Sequence, residues 1–154
     1  MIMKLIYNNK IIQNNEILTP NYTQKEPEIR IDTNKNDLYS LVMYDPDAVN
    51  GTYIHWILVN IKNNNIKTGT IILPYKGPSP PPNTGKHRYI FEIFEQKEYL
   101  DKKQIERNNS INSIKSILNL DKSLNKIQFI SENKVGGRKT KRKRNISKKS
   151  KRRY

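Results

Sequence analysis

A chain of 154 residues with a formal net charge of +15 and no cysteine has room for one domain and a short appendage, and enough length to bury a core without staples. The missing thiols exclude disulfides, thiolate-bound metals and a cysteine nucleophile. No stretch approaches the roughly 18 consecutive apolar residues of a membrane-spanning helix, and the apolar start Met1–Tyr7 runs at once into Asn8, Asn9 and Lys10, so a cleaved secretory leader is not expected.

Lys4–Tyr7 and Ile11-Ile12 predict an opening hairpin turning at Asn8-Asn9. Pro27–Asp32 alternates apolar and polar residues, as a half-buried strand does. Asn34–Asp37 reads as a turn. Leu38–Tyr44 is almost continuously apolar and predicts a central strand, ended by Pro46, which has no N–H for the ladder. Ile54–Ile61 and Thr70–Leu73 are further strands, separated by the turn Asn63-Asn64-Asn65. Pro74–Gly85 is a stiff loop with five prolines and two glycines, and Arg88–Phe94 returns to strand character. Ile111, Ile114, Ile117 and Leu118 then fall at helical spacing behind a cap at Asn109 or Ser110. Leu124, Ile127, Phe129 and Ile130 add a turn and a last strand.

Charge is unevenly spread. Residues 134–154 hold 12 of the 29 Lys/Arg and none of the 14 acids, which leaves 17 basic against 14 acidic residues before them. The expected organisation is therefore a folded unit over 1–133 and a disordered Lys/Arg-rich tail over 134–154, hinged at Gly136-Gly137. Lys141–Arg144 and Lys148–Arg153 suit a nuclear address, or non-specific contact with nucleic acid or an anionic membrane. No aromatic residue interleaves the stretch before Tyr154, so base stacking is not expected. The compartment expected from this reading is cytoplasmic, with nuclear entry through the tail, and not secreted.

Both histidines of the chain stand at strand starts beside turns rich in carboxylates, Gly and Pro. Asp45 and Asp47 flank Pro46; period-two alternation would point both the same way. His55 opens one strand and His87 another, with Tyr89 two residues on and on the same face. If these strand ends converge, Asp45, His55, His87 and Tyr89 surround one hollow walled by Gly77–Pro82. Proline holds that wall rigid, Gly77 permits close backbone approach, and free N–H groups such as that of Ser79 suit an anion oxygen. Arg88 should face away, paired with an acid, and Trp56 should be core.

Asp45-Pro46-Asp47-Ala48 followed by His55-Trp56-Ile57-Leu58-Val59-Asn60-Ile61 resembles the first signature of the phosphatidylethanolamine-binding protein family. Tyr75–Pro78 through Thr84-Gly85-Lys86-His87-Arg88-Tyr89 is similar to its second, and the likeness covers residues 17–96 well and 109–131 loosely. The resemblance implies a mostly β, sandwich-like fold built on a large central antiparallel sheet, with one C-terminal helix. It implies a small anion pocket with Asp45, His55, His87 and Tyr89 as pocket residues and Asp47, Gly77, Ser79 and Pro80 on the matching loops. Val49 stands where a proline usually follows, and Ser79 and Asn83 where glycines are common; the short link from Ala48 to His55 is like that of microbial or viral members. The expected function is binding, without cofactor, metal or catalytic residues, by a monomer. The expected partners are a phosphate-type anion or phospholipid head group and, as in relatives that regulate kinases or proteases, a protein. Two alternatives remain open at this point: a metal-assisted or acid–base hydrolase using the same cavity, and a scaffold whose basic tail does the work.

Overall fold

β1 (Ile2–Tyr7) turns through Asn8 and Asn9, with φ of 50° and 62°, into β2 (Lys10–Ile11). Asparagine tolerates this left-handed backbone, which a β-branched residue would resist. β3 (Glu16–Ile17) leaves for the other sheet, and β4 (Glu28–Asp32) returns antiparallel to β1. Ile29 and Ile31 are buried and Glu28, Arg30 and Asp32 exposed, as alternation predicts. These make a small sheet in the order β2-β1-β4. The computed structural model describes residues 1–135.

The large sheet has the order β3-β9-β8-β5-β6-β7. Its other members are β5 (Leu38–Asp45), β6 (Tyr53–Ile61), β7 (Thr70–Leu73), β8 (Lys86–Gln96) and β9 (Ser123–Glu132). All neighbours are antiparallel except β3 and β9, which run parallel. The large sheet is thus antiparallel as expected, with one parallel pair at its edge, where the two-residue β3 arrives through a loop and not a hairpin.

The continuous apolar run of β5 follows from its position. Leu41 and Met43 face the small sheet, within a core that includes Leu5, Trp56, Phe91 and Phe129. Val42 and Tyr44 face the other way, toward Leu100, Ile105, Ile114 and Leu118. A strand buried on both faces loses the polar half of its alternation. The second core is roofed by α1 (Ile111–Ile117), whose first turn is capped by Ser110 Oγ accepting from Ser113 N at 3.1 Å. The expected disorder of the tail falls, from residue 136 on, outside the described residues. Among the described residues no helix is long and apolar enough to cross a membrane.

Candidate functional site

β5 ends at Asp45, and its side chain is the first polar group on the face toward the small sheet after Leu41 and Met43. It is almost fully buried, with 3% of its surface exposed. Such a carboxylate needs partners, and it has two. Oδ2 lies 2.7 Å from His87 Nδ1, and Oδ1 accepts the Asp47 N–H at 2.8 Å. His87, second residue of β8, is 1% exposed. Its Nε2 is 2.8 Å from Thr84 Oγ1, which itself donates to Pro81 O at 2.8 Å. Both ring nitrogens of His87 are therefore held.

His55 arrives differently. On β6, Ile54 pairs with Tyr44 and Trp56 with Met43, so His55 has no partner on β5 and forms a β-bulge. A bulge re-aims a side chain. Ile54 packs in one core and Trp56 in the other, and His55 contacts Tyr89 edge-on with ring centroids 5.2 Å apart. Its Nδ1 donates to Lys76 O at 2.7 Å, which leaves Nε2 as the acceptor nitrogen. Burial holds the His55 pKa below its ordinary value, against the Lys76 carbonyl and the Asp45 charge, which push it up. Tyr89 follows His87 by two residues and shares its face. Burial first, then the charges of Asp45 and Asp47, raise its pKa and keep its hydroxyl a donor.

Asp45, His55, His87 and Tyr89 line one cavity of about 470 Å³, together with Gly77, Ser79 and Pro80. Its apolar walls include Val49, Tyr53 and Pro81, and Lys76 stands at the mouth, its ammonium donating to Tyr53 OH at 2.8 Å. Asp47 is not among the lining residues. It turns outward to Arg88, accepting from the backbone N–H, Nε and Nη2 at 2.9 Å each, and the guanidinium lowers its pKa. The expected common direction of Asp45 and Asp47 fails because alternation holds only within a strand, and the strand stops at Asp45. Gly77 is required by packing: a Cβ there would sit 2.9 Å from Gln24 Cα. Gln24 in turn donates to Pro78 O at 2.7 Å and ties the proline loop to the segment Pro20–Thr23. Asn83 occupies a position with φ of 61°, which explains why it can stand where a glycine is common.

The sequence reading missed three features. The loop 48–52 lines the cavity. Arg107 clamps its back wall, donating through Nη1 to the carbonyls of Ile54 and His55 at 3.0 and 2.9 Å and through Nη2 to Pro74 O at 2.8 Å. Its neighbour Asn108 lines the cavity. Neither residue sits in a motif; no local signal marks a long-range clamp. Among the described residues, no three of His, Cys, Asp and Glu gather as metal ligands would.

Residues 8–141 match the family model described as phosphatidylethanolamine-binding protein. Over 95 residues the chain is 36% identical to a "26 kDa secreted antigen" of Toxocara canis, and over 102 residues 35% identical to "Protein MOTHER of FT and TFL1 homolog 2" of Oryza sativa subsp. japonica. These alignments take in 58% and 62% of this chain but only 36% and 58% of the relatives' lengths. Among solved structures, a carboxypeptidase Y inhibitor complexed with its proteinase is similar at a TM-score of 0.72 and 18% identity, over 84% of this chain and 82% of that one. The phosphatidylethanolamine-binding protein from Plasmodium vivax is similar at 0.70 and 24%, over 84% of both. At these identities the structures speak for the fold and not for a protein partner. The expectation of a cytoplasmic or nuclear, non-secreted protein is overturned by the first relative, which is named a secreted antigen. The fold, core and cavity carry no feature that depends on compartment, so composition alone had no hold on it. The model match spans both histidine segments and nearly all of the described residues, and the chain belongs to the phosphatidylethanolamine-binding protein family.

Proposed function

We propose that the cavity binds a small oxyanion, the phosphate of a phospholipid head group or a free phosphate or carboxylate, and that the protein works by binding and not by turnover. The observation that carries this reading is the gathering of His55, His87, Asp45 and Tyr89 around one cavity at the end of the large sheet. Its volume of about 470 Å³ is within the usual range for small-molecule sites, roughly 300–1,000 Å³. Three kinds of donor border it: the Tyr89 hydroxyl, the Lys76 ammonium, and the His55 imidazole once protonated. Asp45 holds His87 in place. The apolar walls suit the carbon skeleton that carries the anion.

The hydrolase alternative asks for a poised acid–base pair. Here His87 is engaged at both nitrogens and Asp45 at both oxygens, so of the lining imidazoles and carboxylates only His55 is left to move a proton. Calorimetric titration with phosphate and with phosphoethanolamine tests the reading, beside a phosphoester turnover assay. Saturable binding that weakens at least ~10-fold in His55→Ala, a loss of about 1.4 kcal/mol, is the expected result. Equal affinity in the Asp45→Ala, His87→Ala double variant, or turnover abolished by His55→Ala, would overturn it.

A further inference from the structure

Tyrosines aside, the ionisable groups lining the cavity are Asp45, His55, Lys76 and His87. Asp45 is the one carboxylate, and both its oxygens are taken. His87 Nδ1 lies 2.7 Å from Oδ2, and the Asp47 N–H donates to Oδ1 at 2.8 Å. Lys76 is fixed to His55 through its own backbone. Its N–H donates to His55 O at 2.9 Å, and its carbonyl accepts from His55 Nδ1 at 2.7 Å. The side chain, anchored on Tyr53 OH at 2.8 Å, keeps its ammonium at the mouth. Behind the wall, Arg107 uses its donors on the carbonyls of Ile54, His55 and Pro74. Neither cation forms an ion pair among the described residues. Both charges are felt inside: burial is the largest cause of the lowered His55 pKa, and Arg107 and Lys76 add to it.

A ligand cation in this cavity therefore meets two like charges and no open carboxylate. Aromatic rings, the other home for an ammonium, are closed to it. The Lys76 ammonium already stands 5.1 Å from the centroid of the Tyr53 ring. Tyr89 is 1% exposed and stacks on Phe129, with centroids 5.3 Å apart. Asn50, Thr52, Ser79 and Asn108 are neutral and serve an ammonium or a phosphate alike.

We propose that Lys76 sets the ligand class of the cavity: a phosphate whose ester group carries no positive charge is accepted, and a zwitterionic head group bearing an ammonium is refused. This rests on the anion reading of the cavity. An ammonium two carbons from a phosphate held at His55 stays in the space that Lys76 borders, and an uncompensated like charge is a means of rejecting the wrong ligand. The same chemistry is offered by a lipid of the phosphatidic acid type and by a small soluble phosphate ester.

Phosphoethanolamine and n-propyl phosphate test this, since they match in size and differ by an ammonium against a methyl group. At pH 7.5 both phosphates are mostly doubly ionised. Each is titrated into the full chain and followed at the His55 imidazole resonance. The propyl ester should bind at least ~10-fold more tightly. Lys76→Met keeps the backbone contacts with His55 and should bring the two affinities within about twofold of each other. Lys62→Met removes an exposed charge just past the opposite end of β6 from Tyr53 and should leave the preference intact. Equal affinities in wild type, or a preference that survives Lys76→Met, overturn the assignment and leave the anion reading of the cavity in place. If neither ester moves the His55 resonance, the anion reading falls and this inference with it. Dihexanoyl phosphatidic acid and glycerol 3-phosphate separate the two sources. Tighter binding of the first upholds the class as a lipid phosphate, and equal or weaker binding upholds it as a soluble ester. Dihexanoyl phosphatidylethanolamine bound as tightly as the phosphatidic acid overturns it.

Discussion

The two histidines reach one cavity by opposite structural routes. His87 stands in regular ladder on β8, paired with Ser131, and is tied at both nitrogens to Asp45 and Thr84. His55 stands in a bulge on β6, tied at one nitrogen to the Lys76 carbonyl, with burial opposing its charge. The first is a fixed post and the second a responsive one. The anion site proposed above would use both: a rigid wall that keeps its shape, and a group whose proton responds to an incoming anion.

The sharpest way to break this contrast is to remove the post. Asp45→Ala leaves two buried donors, the His87 ring and the Asp47 N–H, without their acceptor, and an unsatisfied buried polar group costs about 1–3 kcal/mol. Denaturant titration should show a clear drop in midpoint, with Asp45→Asn much closer to wild type because it keeps an acceptor for Nδ1. A wild-type midpoint for Asp45→Ala would mean that the His87 side needs no post. His55→Ala should cost less, about 1 kcal/mol for one buried hydrogen bond, yet lose anion affinity. Equal stability losses at the two positions would erase the distinction. Asp47→Ala should cost less than about 1 kcal/mol, since its partner Arg88 is half exposed, and should leave phosphate binding unchanged. Altered phosphate affinity would return Asp47 to the site.

A pH titration sharpens the same contrast. The folded-state pKa of His55 lies below its unfolded value, so below roughly pH 6.5 the unfolded chain binds a proton that the native state refuses. Stability contributed by neutral His55 is therefore present above that pH and lost as pH falls. His55→Gln should flatten this part of the profile. A bound anion favours the protonated ring, so added phosphate should stabilise more at pH 5.5 than at pH 7.5. The opposite order would contradict the assignment of His55 as the responsive group.

Much of the fold is written locally. The Asn8-Asn9 turn, the alternation in β4, the doubly apolar β5 and the Ser110 cap each follow from short-range chemistry. The site is legible where the argument stays within a strand, as for His87 and Tyr89, two apart on β8. It fails where the backbone departs from the strand. Asp47 lies past the end of β5 and turns outward, and the bulge at His55 depends on a register with β5 that the β6 sequence does not state. Arg107 lies in a loop about fifty residues from the strand start it supports, and Asn108 beside it lines the cavity. Only the folded chain shows why an arginine is there.

The most direct test is a proton NMR titration of the two imidazoles with phosphate, in the full chain near pH 6. Both rings should shift together and saturate at one dissociation constant, the His55 pKa rising as the anion binds while His87 keeps its carboxylate partner. Resonances of His55 and His87 that stay fixed while phosphate binds elsewhere would contradict a shared anion site between them.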